Sequence, residues 1–303
     1  MMPLYKIEVG KSSIKGIVDV NGGVRRNLQL RQFWSLLTSI LLDTSVALRD
    51  TGGSQYSVNY GSSNPDLDAR IVLGQGTDPP SFGQYNLVQY SKELPTNKVV
   101  SDVSGTPPYT RVTLSTTADI DAQELGIRQD IRYYYLLTRT VQQVAIGDVL
   151  NYHLEFKQPW LKNFALFWFG KLNKSNVDGV LDVTGASRTL RTAGDTTAGT
   201  MRLLISEDII TWSPTLYSIP NAVELTDYHW TFWSNDNYVV LVYLASIIPA
   251  VTMTVNTIGI VQRLYDSGGN QFDALLAALD ISSSPLTLEA NKHNFIMLKF
   301  VFH

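Results

Sequence analysis

The sequence predicts an all-β protein made of two tandem antiparallel β-sandwich domains, related by an internal repeat, with one amphipathic helix inserted in the first. Three observations support this prediction. Short runs of alternating apolar and polar residues recur between turns rich in glycine and proline. A segment of the first half returns in the second half. The 303 residues also suit two domains of about 150 residues each.

The repeat is clearest at residues 70–87, which align without a gap with residues 202–219. Three residues are identical in the two segments: Arg70 and Arg202, Ser81 and Ser213, Tyr85 and Tyr217. A second match sets residues 16–23, GIVDVNGG, against residues 179–186, GVLDVTGA. The offset between the halves falls from 163 positions at the second match to 132 at the first, which indicates a deletion of about 31 residues. We therefore expect the second domain to be shorter and to lack the helix.

A helix is predicted at about residues 28–42. Apolar residues recur there at i, i+3, i+4, i+7 and i+11, along one helical face: Leu30, Phe33, Trp34, Leu37 and Leu41. We expect this stripe to pack on a sheet, and the alternative is a helix that binds a partner. In the second half, residues 164–169 are predicted to form a strand. The domains are placed at residues 1–158 and 159–303.

The composition excludes several classes of function. The net charge of -3 and the absence of a Lys/Arg cluster argue against direct binding of DNA or RNA. The chain has no cysteine, which excludes disulfides, thiolate zinc sites and thiol nucleophiles. The N-terminus lacks the apolar run of a signal peptide. Residues 238–255 are long and uncharged enough for a membrane span, but their β-branched residues and Pro249 favour two buried strands, so no transmembrane span is predicted.

No catalytic, metal-binding or cofactor-binding residue stands out. The four histidines lack the spacing of a metal site: His153, His229, His293 and His303. Gly74 and Gly76 begin like a dinucleotide-binding motif, but Pro79 stands where the third glycine is required. We therefore predict no cofactor and no bound metal.

Acid–base catalysis on sugars would need two carboxyl groups about 5 to 9.5 Å apart. Glu207 and Asp208 are sequence neighbours whose side chains should diverge, and Asp119 and Asp121 lie in a predicted loop. No pair recommends itself, so we predict that the protein is not an enzyme. A carboxylate pair formed by residues distant in sequence stays open.

Two aromatic clusters could form a binding surface: residues 160–168 and residues 228–233. For Phe164, Leu166 and Trp168 we expect burial in the core. Three residues of the second cluster are candidates for contact with a protein partner or a glycan, with packing as the alternative: Tyr228, Trp230 and Trp233. The polar residues 50–66 are predicted to form a surface loop that could also contact a glycan, and Asn173 begins a glycosylation sequon.

Several short motifs follow one another in a fixed order across residues 16–156. They are Asn27-Leu28 before the helix, Gly74-Gln75-Gly76-Thr77-Asp78-Pro79-Pro80, Tyr85-Asn86-Leu87, Glu124-Leu125-Gly126-Ile127, Leu136-Leu137-Thr138-Arg139 and Gly147-Asp148-Val149-Leu150. In this order the chain resembles virion structural proteins of tailed phages and archaeal viruses. The second half shows the resemblance only through the internal repeat.

The resemblance implies a structural component of a virus particle, such as a capsid, turret, decoration or tail protein, with jelly-roll-like domains. It implies that the partners are other copies of the chain and neighbouring virion proteins, and that the protein is located in the virion after assembly in the host cytoplasm. The alternative function is a carbohydrate- or receptor-binding β-sandwich module that contacts a host glycan through Trp230 and Trp233 or through residues 50–66. A hydrolase is the third hypothesis.

Overall fold

The computed structural model describes residues 3–10, 14–192 and 194–302. This part of the chain forms 24 strands and two helices, so the protein is mostly β, as predicted. The first elements in chain order are β1 (Leu4–Gly10), β2 (Ile14–Val20), β3 (Gly23–Arg26), β4 (Leu28–Gln29), α1 (Arg31–Leu42), β5 (Val46–Arg49), β6 (Gln55–Val58), β7 (Leu67–Gly74), β8 (Tyr90–Leu94), β9 (Asn97–Val103), β10 (Tyr109–Thr117), β11 (Ala122–Asp130), β12 (Tyr134–Val144) and β13 (Val149–Phe156).

The remaining elements begin with a second helix. They are α2 (Lys162–Asn173), β14 (Val177–Leu181), β15 (Ser187–Leu190), β16 (Arg202–Ser206), β17 (Val223–Leu225), β18 (Asp227–Ser234), β19 (Val239–Ile247), β20 (Met253–Val255), β21 (Thr257–Tyr265), β22 (Gln271–Asp280), β23 (Leu286–Leu288) and β24 (Asn294–Phe302).

Four sheets form the body of the molecule. In the first half, sheet I has the strand order β3-β2-β13-β10-β9 and sheet II has the order β4-β12-β11-β7-β8. In the second half, sheet III has the order β1-β24-β19-β18 and sheet IV has the order β17-β16-β21-β22. Buried residues of sheets I and II, such as Val18 and Leu114 of the one and Ile71 and Leu125 of the other, belong to one core in a sandwich-like arrangement.

Helix α1 lies close to its predicted position, and every residue of it is buried. It begins after Leu30, which is extended, and it ends at Asp43, whose φ of 45° is left-handed. The apolar stripe therefore packs inside the chain, as expected.

Two predictions are wrong at helix α2. Residues 164–169, predicted to be a strand, form part of this helix, and the second half, predicted to lack a helix, has one of its own. The two helices have matching ends. Leu30 and Leu161 are both extended and precede α1 and α2, and Asp43 and Lys174 end them with φ of 45° and 49°. Neighbouring elements surround helix α2 and bury nine of its twelve residues. The helix therefore lacks the periodic polar face by which a surface helix is recognised in a sequence.

The match of residues 16–23 with residues 179–186 is also not a structural correspondence. The first segment lies on β2 and the turn to β3, within sheet I. The second lies on β14 and the turn to β15, which form a separate two-stranded sheet. The two segments look alike because both are hairpins, and tight hairpin turns favour the same small set of residues.

The N-terminal strand lies in the second half of the molecule rather than in domain 1–158. Strand β1 pairs in parallel with β24, where Leu4 lies opposite Phe295 and Ile7 opposite Leu298. The alternating pattern of this segment predicts a strand, but it contains no information about which distant strand is the partner. The predicted boundary between the domains therefore does not hold for β1.

The two helices join the halves through a shared core. Helix α1 packs against β18 and β19 of the second half, and α2 packs against β7, β9 and β10 of the first. The ring of Trp34 on α1 stacks on Phe302 with centroids 4.3 Å apart, and Phe164 on α2 meets Phe156 at 5.6 Å. Phe164, Leu166 and Trp168 are buried, as predicted.

Two further predictions concern residues 238–255 and residues 50–66. Residues 238–255 form strands β19 and β20, with Pro249 between them, as predicted. No helix in the described residues is long and apolar enough to cross a membrane. The predicted surface loop at residues 50–66 is only partly correct, because it contains β6 and because Tyr60 is fully buried. The Tyr60 hydroxyl donates a hydrogen bond to Gln129, which explains how its polar group is accommodated.

Candidate functional site

The three candidate residues Tyr228, Trp230 and Trp233 all lie on β18, the last strand of sheet III. Side chains alternate between the two faces of a strand, so Tyr228 and Trp230 share one face and Trp233 points to the other. The three residues therefore do not form a single aromatic platform.

The inner face of β18 continues the core of the second half. Tyr228 stacks on the buried Tyr243 with ring centroids 5.3 Å apart. Trp230 and Phe232 have centroids 6.3 Å apart, and Trp230 stays 36% exposed at the rim of the sheet. This face is a packing surface whose outermost aromatic residue remains accessible.

The outer face of sheet III is mostly apolar on its two central strands, with Lys6 of β1 and Asp227 of β18 at its edges. Its two central strands, β24 and β19, place these half-buried or buried residues on it: Phe295, Met297, Lys299 and Val301, with Val240, Val242, Leu244 and Ser246. At the edge, Trp233 is 45% exposed and lies opposite Val240. Lys299 is the one charged residue in this set. Contiguous apolar surface of this kind marks interaction sites on soluble proteins.

The outer face of sheet I in the first half has the opposite chemistry. Its central strands, β13 and β10, pair Glu155 with Arg111 and His153 with Thr113. The Arg111 guanidinium donates a 2.7 Å hydrogen bond to Glu155, and the Thr113 hydroxyl lies 2.9 Å from Nδ1 of His153. This face is polar and internally hydrogen-bonded, as expected of a sheet face that meets water.

A shallow cavity of about 330 Å³ opens on the outer face of sheet III. It is lined by Trp233, Asn237, Tyr238, Val240, Lys299 and Val301. Two aromatic rings, an amide and an ammonium group in one apolar depression are the kinds of group that hold a small polar ligand. Of the candidate residues, only Trp233 belongs to this cavity.

The motif residues of the first half meet at a buried ion pair that sequence reasoning did not identify. Nε of Arg139 donates a 2.6 Å hydrogen bond to Glu124, and both side chains are fully buried. The Glu124 carboxylate also accepts hydrogen bonds from the backbone N–H groups of Gly76, Val88 and Gln89. These bonds fasten the loop that follows β7 to the sheet, so the motifs hold the fold together here.

Hydrogen bonds hold the loop that follows β16 in the second half. Ala278 lies opposite Gly259 as Arg139 lies opposite Gly126. The buried Thr257 donates a 2.7 Å hydrogen bond to the carbonyl of Asp208, in the loop that follows β16. The Ser206 hydroxyl donates to the carbonyl of Pro220 and Nδ2 of Asn256 donates to the carbonyl of Glu207, both at 2.6 Å, so several separate hydrogen bonds hold this loop.

Lys171 on α2 is a buried cation without a carboxylate within ion-pair distance among the described residues. Its ammonium group donates to the backbone carbonyls of Gly61 and Ser63 in the first half, at 3.3 and 2.7 Å. Burial lowers the pKa of Lys171 to about 7. Because it ties α2 to the segment after β6, this lysine is a contact between the halves.

The carboxylates and histidines considered for catalysis are dispersed. Lys92 forms an ion pair with Asp119, and Asp121 accepts a hydrogen bond from the backbone of Ile146. Glu207 and Asp208 accept hydrogen bonds from Thr254 and Asn221, respectively. Within the described residues, no group of three or more His, Asp or Glu side chains is arranged to hold a metal ion. His303 lies outside these residues.

Comparisons with protein-family models, with curated proteins and with solved structures gave no match.

Proposed function

We propose that the protein is a structural subunit of a virus particle that assembles with copies of itself and with neighbouring virion proteins. The observation that carries this proposal is the apolar outer face of sheet III, which ends at the aromatic strand β18. The inner face of the same sheet already contributes to the core, so the outer face is not needed to fold the chain. A half-buried apolar face with a single charged residue on its central strands is suited to burial against another subunit.

The arrangement of the two halves supports a tandem design of two jelly-roll-like β-sandwiches. Leu30 donates its N–H to Leu137 as Leu161 does to Leu276, at 2.9 Å in both halves. The helix N-termini bind the following loops in the same way, since Arg31 donates to Phe82 and Lys162 to Pro214. On this proposal, α2 and β16 each lie about 131 residues after their counterparts in the first half, α1 and β7. The second half has therefore kept its helix.

The aligned residues of the repeat also occupy similar surroundings. Arg70 pairs with Glu93 and Arg202 pairs with Glu224, each between neighbouring strands. Tyr85 packs on Gly53, and Tyr217 packs on Gly185. Two rigid domains with a common plan and a shared core suit a building block of a shell or a turret, which we place in the virion after assembly in the host cytoplasm.

The mass of the purified chain in solution tests this proposal. Light scattering over a range of concentrations, followed by negative-stain imaging of the same fraction, should show a discrete oligomer, ring or shell. The mass should be a multiple of the 33.8 kDa of one chain. A chain that is monomeric at every concentration, and that does not assemble when it is mixed with virus particles, would contradict the proposal.

A second candidate function is glycan binding at the cavity on the outer face of sheet III. Trp233 and Tyr238 could stack on a sugar ring while Asn237 and Lys299 bind its hydroxyl groups. A glycan array tests it with Trp233→Ala, which should abolish selective binding. Trp230→Ala is the matched control, because that tryptophan lies on the opposite face of β18. Equal binding by the wild type and Trp233→Ala, or no binding at all, would rule the cavity out.

A further inference from the structure

Strand β18 has an open edge. It is the last strand of sheet III and pairs with β19 along its full length, from Asp227 opposite Ser246 to Ser234 opposite Val239. Within the described residues, no strand pairs with its other side. Such an edge presents a row of backbone N–H and C=O groups to another strand.

After its first residue, Asp227, this edge lacks the features by which proteins prevent edge-to-edge pairing. Residues 228–234, YHWTFWS, contain no Lys, Arg, Asp, Glu or Pro. Strand β9, the last strand of sheet I, differs in its charge, because it carries Lys98 and Asp102. Both of these residues form ion pairs, with Asp68 and Lys162. The chain thus protects one terminal strand with charges and leaves the other one aromatic.

We propose that two copies of the chain pair their β18 strands antiparallel about a twofold axis at Thr231, which joins two four-stranded sheets into one of eight strands. This inference rests on the proposed function and names the first contact of the assembly. The pairing is isologous, so it closes after two copies.

The sequence of β18 is self-complementary about this axis. Trp230 of each copy lies opposite Phe232 of the other, on the inner face. His229 lies opposite Trp233 on the outer face, and Thr231 lies opposite Thr231. Aromatic pairs and Thr–Thr pairs are favourable across antiparallel strands. No two like charges meet, because residues 228–234 carry none with histidine neutral.

The pairing covers the accessible aromatic residues. Trp230 and Trp233, 36% and 45% exposed in one chain, come to lie in the middle of the joined sheet. The apolar outer faces of β19 and β24 of the two copies then lie on the same side of the joined sheet, separated by His229, Thr231 and Trp233 of the two β18 strands. Both apolar faces stay available for the next contact of the assembly.

A lysine at the axis tests the pairing. In Thr231→Lys the two introduced cations would lie opposite each other, so the dissociation constant of the dimer should rise roughly tenfold or more. Thr231 is exposed, so the variant should keep the circular dichroism and melting temperature of the wild type. Val99→Lys is the matched control on β9, where the residue is 57% exposed and the dimer should be unaffected. Sedimentation velocity measures both.

Single cysteines test the register, because the natural chain contains none. Thr231→Cys should give a disulfide-linked dimer under mild oxidation, and Val99→Cys should not. A wild-type oligomer that persists in Thr231→Lys, with no cross-link in Thr231→Cys, would overturn the β18 pairing but leave the assembly proposal standing. A wild-type monomer under all conditions would overturn both. Loss of the dimer in Thr231→Lys alone, together with the cross-link, supports the pairing.

Discussion

In sheet I the central strands β13 and β10 place polar, hydrogen-bonded side chains on the outer face, whereas β24 and β19 of sheet III place apolar ones there. Both sheets supply inner faces to the core, so the fold accepts either chemistry on the outside. A face that only meets water gains nothing from Phe295, Met297 and Leu244. The difference supports our proposal that the outer face of sheet III is shaped by contact with another molecule.

The same contrast appears inside the halves. The loop after β7 is fastened by a buried Glu124–Arg139 pair, and the loop after β16 by separate hydrogen bonds, one of them from the hydroxyl of Thr257. Helix α2 carries a buried lysine, Lys171, where α1 has the apolar Ile40, which lies 131 positions earlier in the chain. Each of these differences can be tested by a single substitution.

The largest effect is expected from Glu124→Ala. The substitution leaves the Arg139 guanidinium buried without its carboxylate and removes the acceptor of three backbone N–H groups, so it should lower the free energy of unfolding by about 3 to 5 kcal/mol. The matched variant Thr257→Val in the second half loses one hydrogen bond and should lose about 1 kcal/mol. Denaturant unfolding of both variants measures the difference, and equal losses would refute the asymmetry of the two loops.

A smaller, pH-dependent effect is expected at Lys171. Its pKa is about 7 in the folded protein, whereas an unfolded chain holds a lysine proton up to about pH 10.4. Between these values the unfolded chain binds more protons, so this lysine makes stability rise with pH above about 7 and adds no slope below it. Lys171→Met removes this contribution.

The comparison of Lys171→Met with the wild type isolates the lysine, because all other titrating groups are shared. The stability of the wild type relative to the variant should increase between pH 6.5 and 9.5, by on the order of 3 kcal/mol in total. Urea unfolding at several pH values gives the curve. A difference that stays constant over this range would show that the lysine keeps an ordinary pKa.

The smallest effect is expected where the halves agree. Gly53 and Gly185 have φ of 90° and 88° in the hairpin turns on which Tyr85 and Tyr217 pack. Alanine strains this backbone conformation, so Gly53→Ala and Gly185→Ala should each cost about 1 to 2 kcal/mol of stability. Thermal unfolding of the two variants should give similar shifts, and a shift at one position alone would weaken the case for a common plan.

The sequence predicts helix α1 and the two strands at residues 238–255, because each has a clear local pattern. It does not reveal α2, whose aromatic residues face neighbours on several sides and leave no amphipathic period. It also does not reveal the partner of β1, since parallel pairing with β24 depends on contacts across nearly the whole chain.

The role of the three aromatic candidates stays a prediction. The residues Tyr228, Trp230 and Trp233 are accessible or half-buried, as a binding surface requires. Their division between two faces could have been foreseen from the period of two in a strand. The role of Glu124 and Arg139 could not, because only the fold brings the loop after β7 onto this pair.

The most direct test of the account is the solution mass of the double variant Val242→Thr/Leu244→Thr, compared with the wild type by light scattering. The two side chains lie on the outer face of sheet III and threonine keeps the strand propensity, so the chain should fold. We expect an oligomeric wild type and a variant of lower mass that cannot form the larger assembly. A variant that assembles like the wild type would contradict the claim that this face joins subunits.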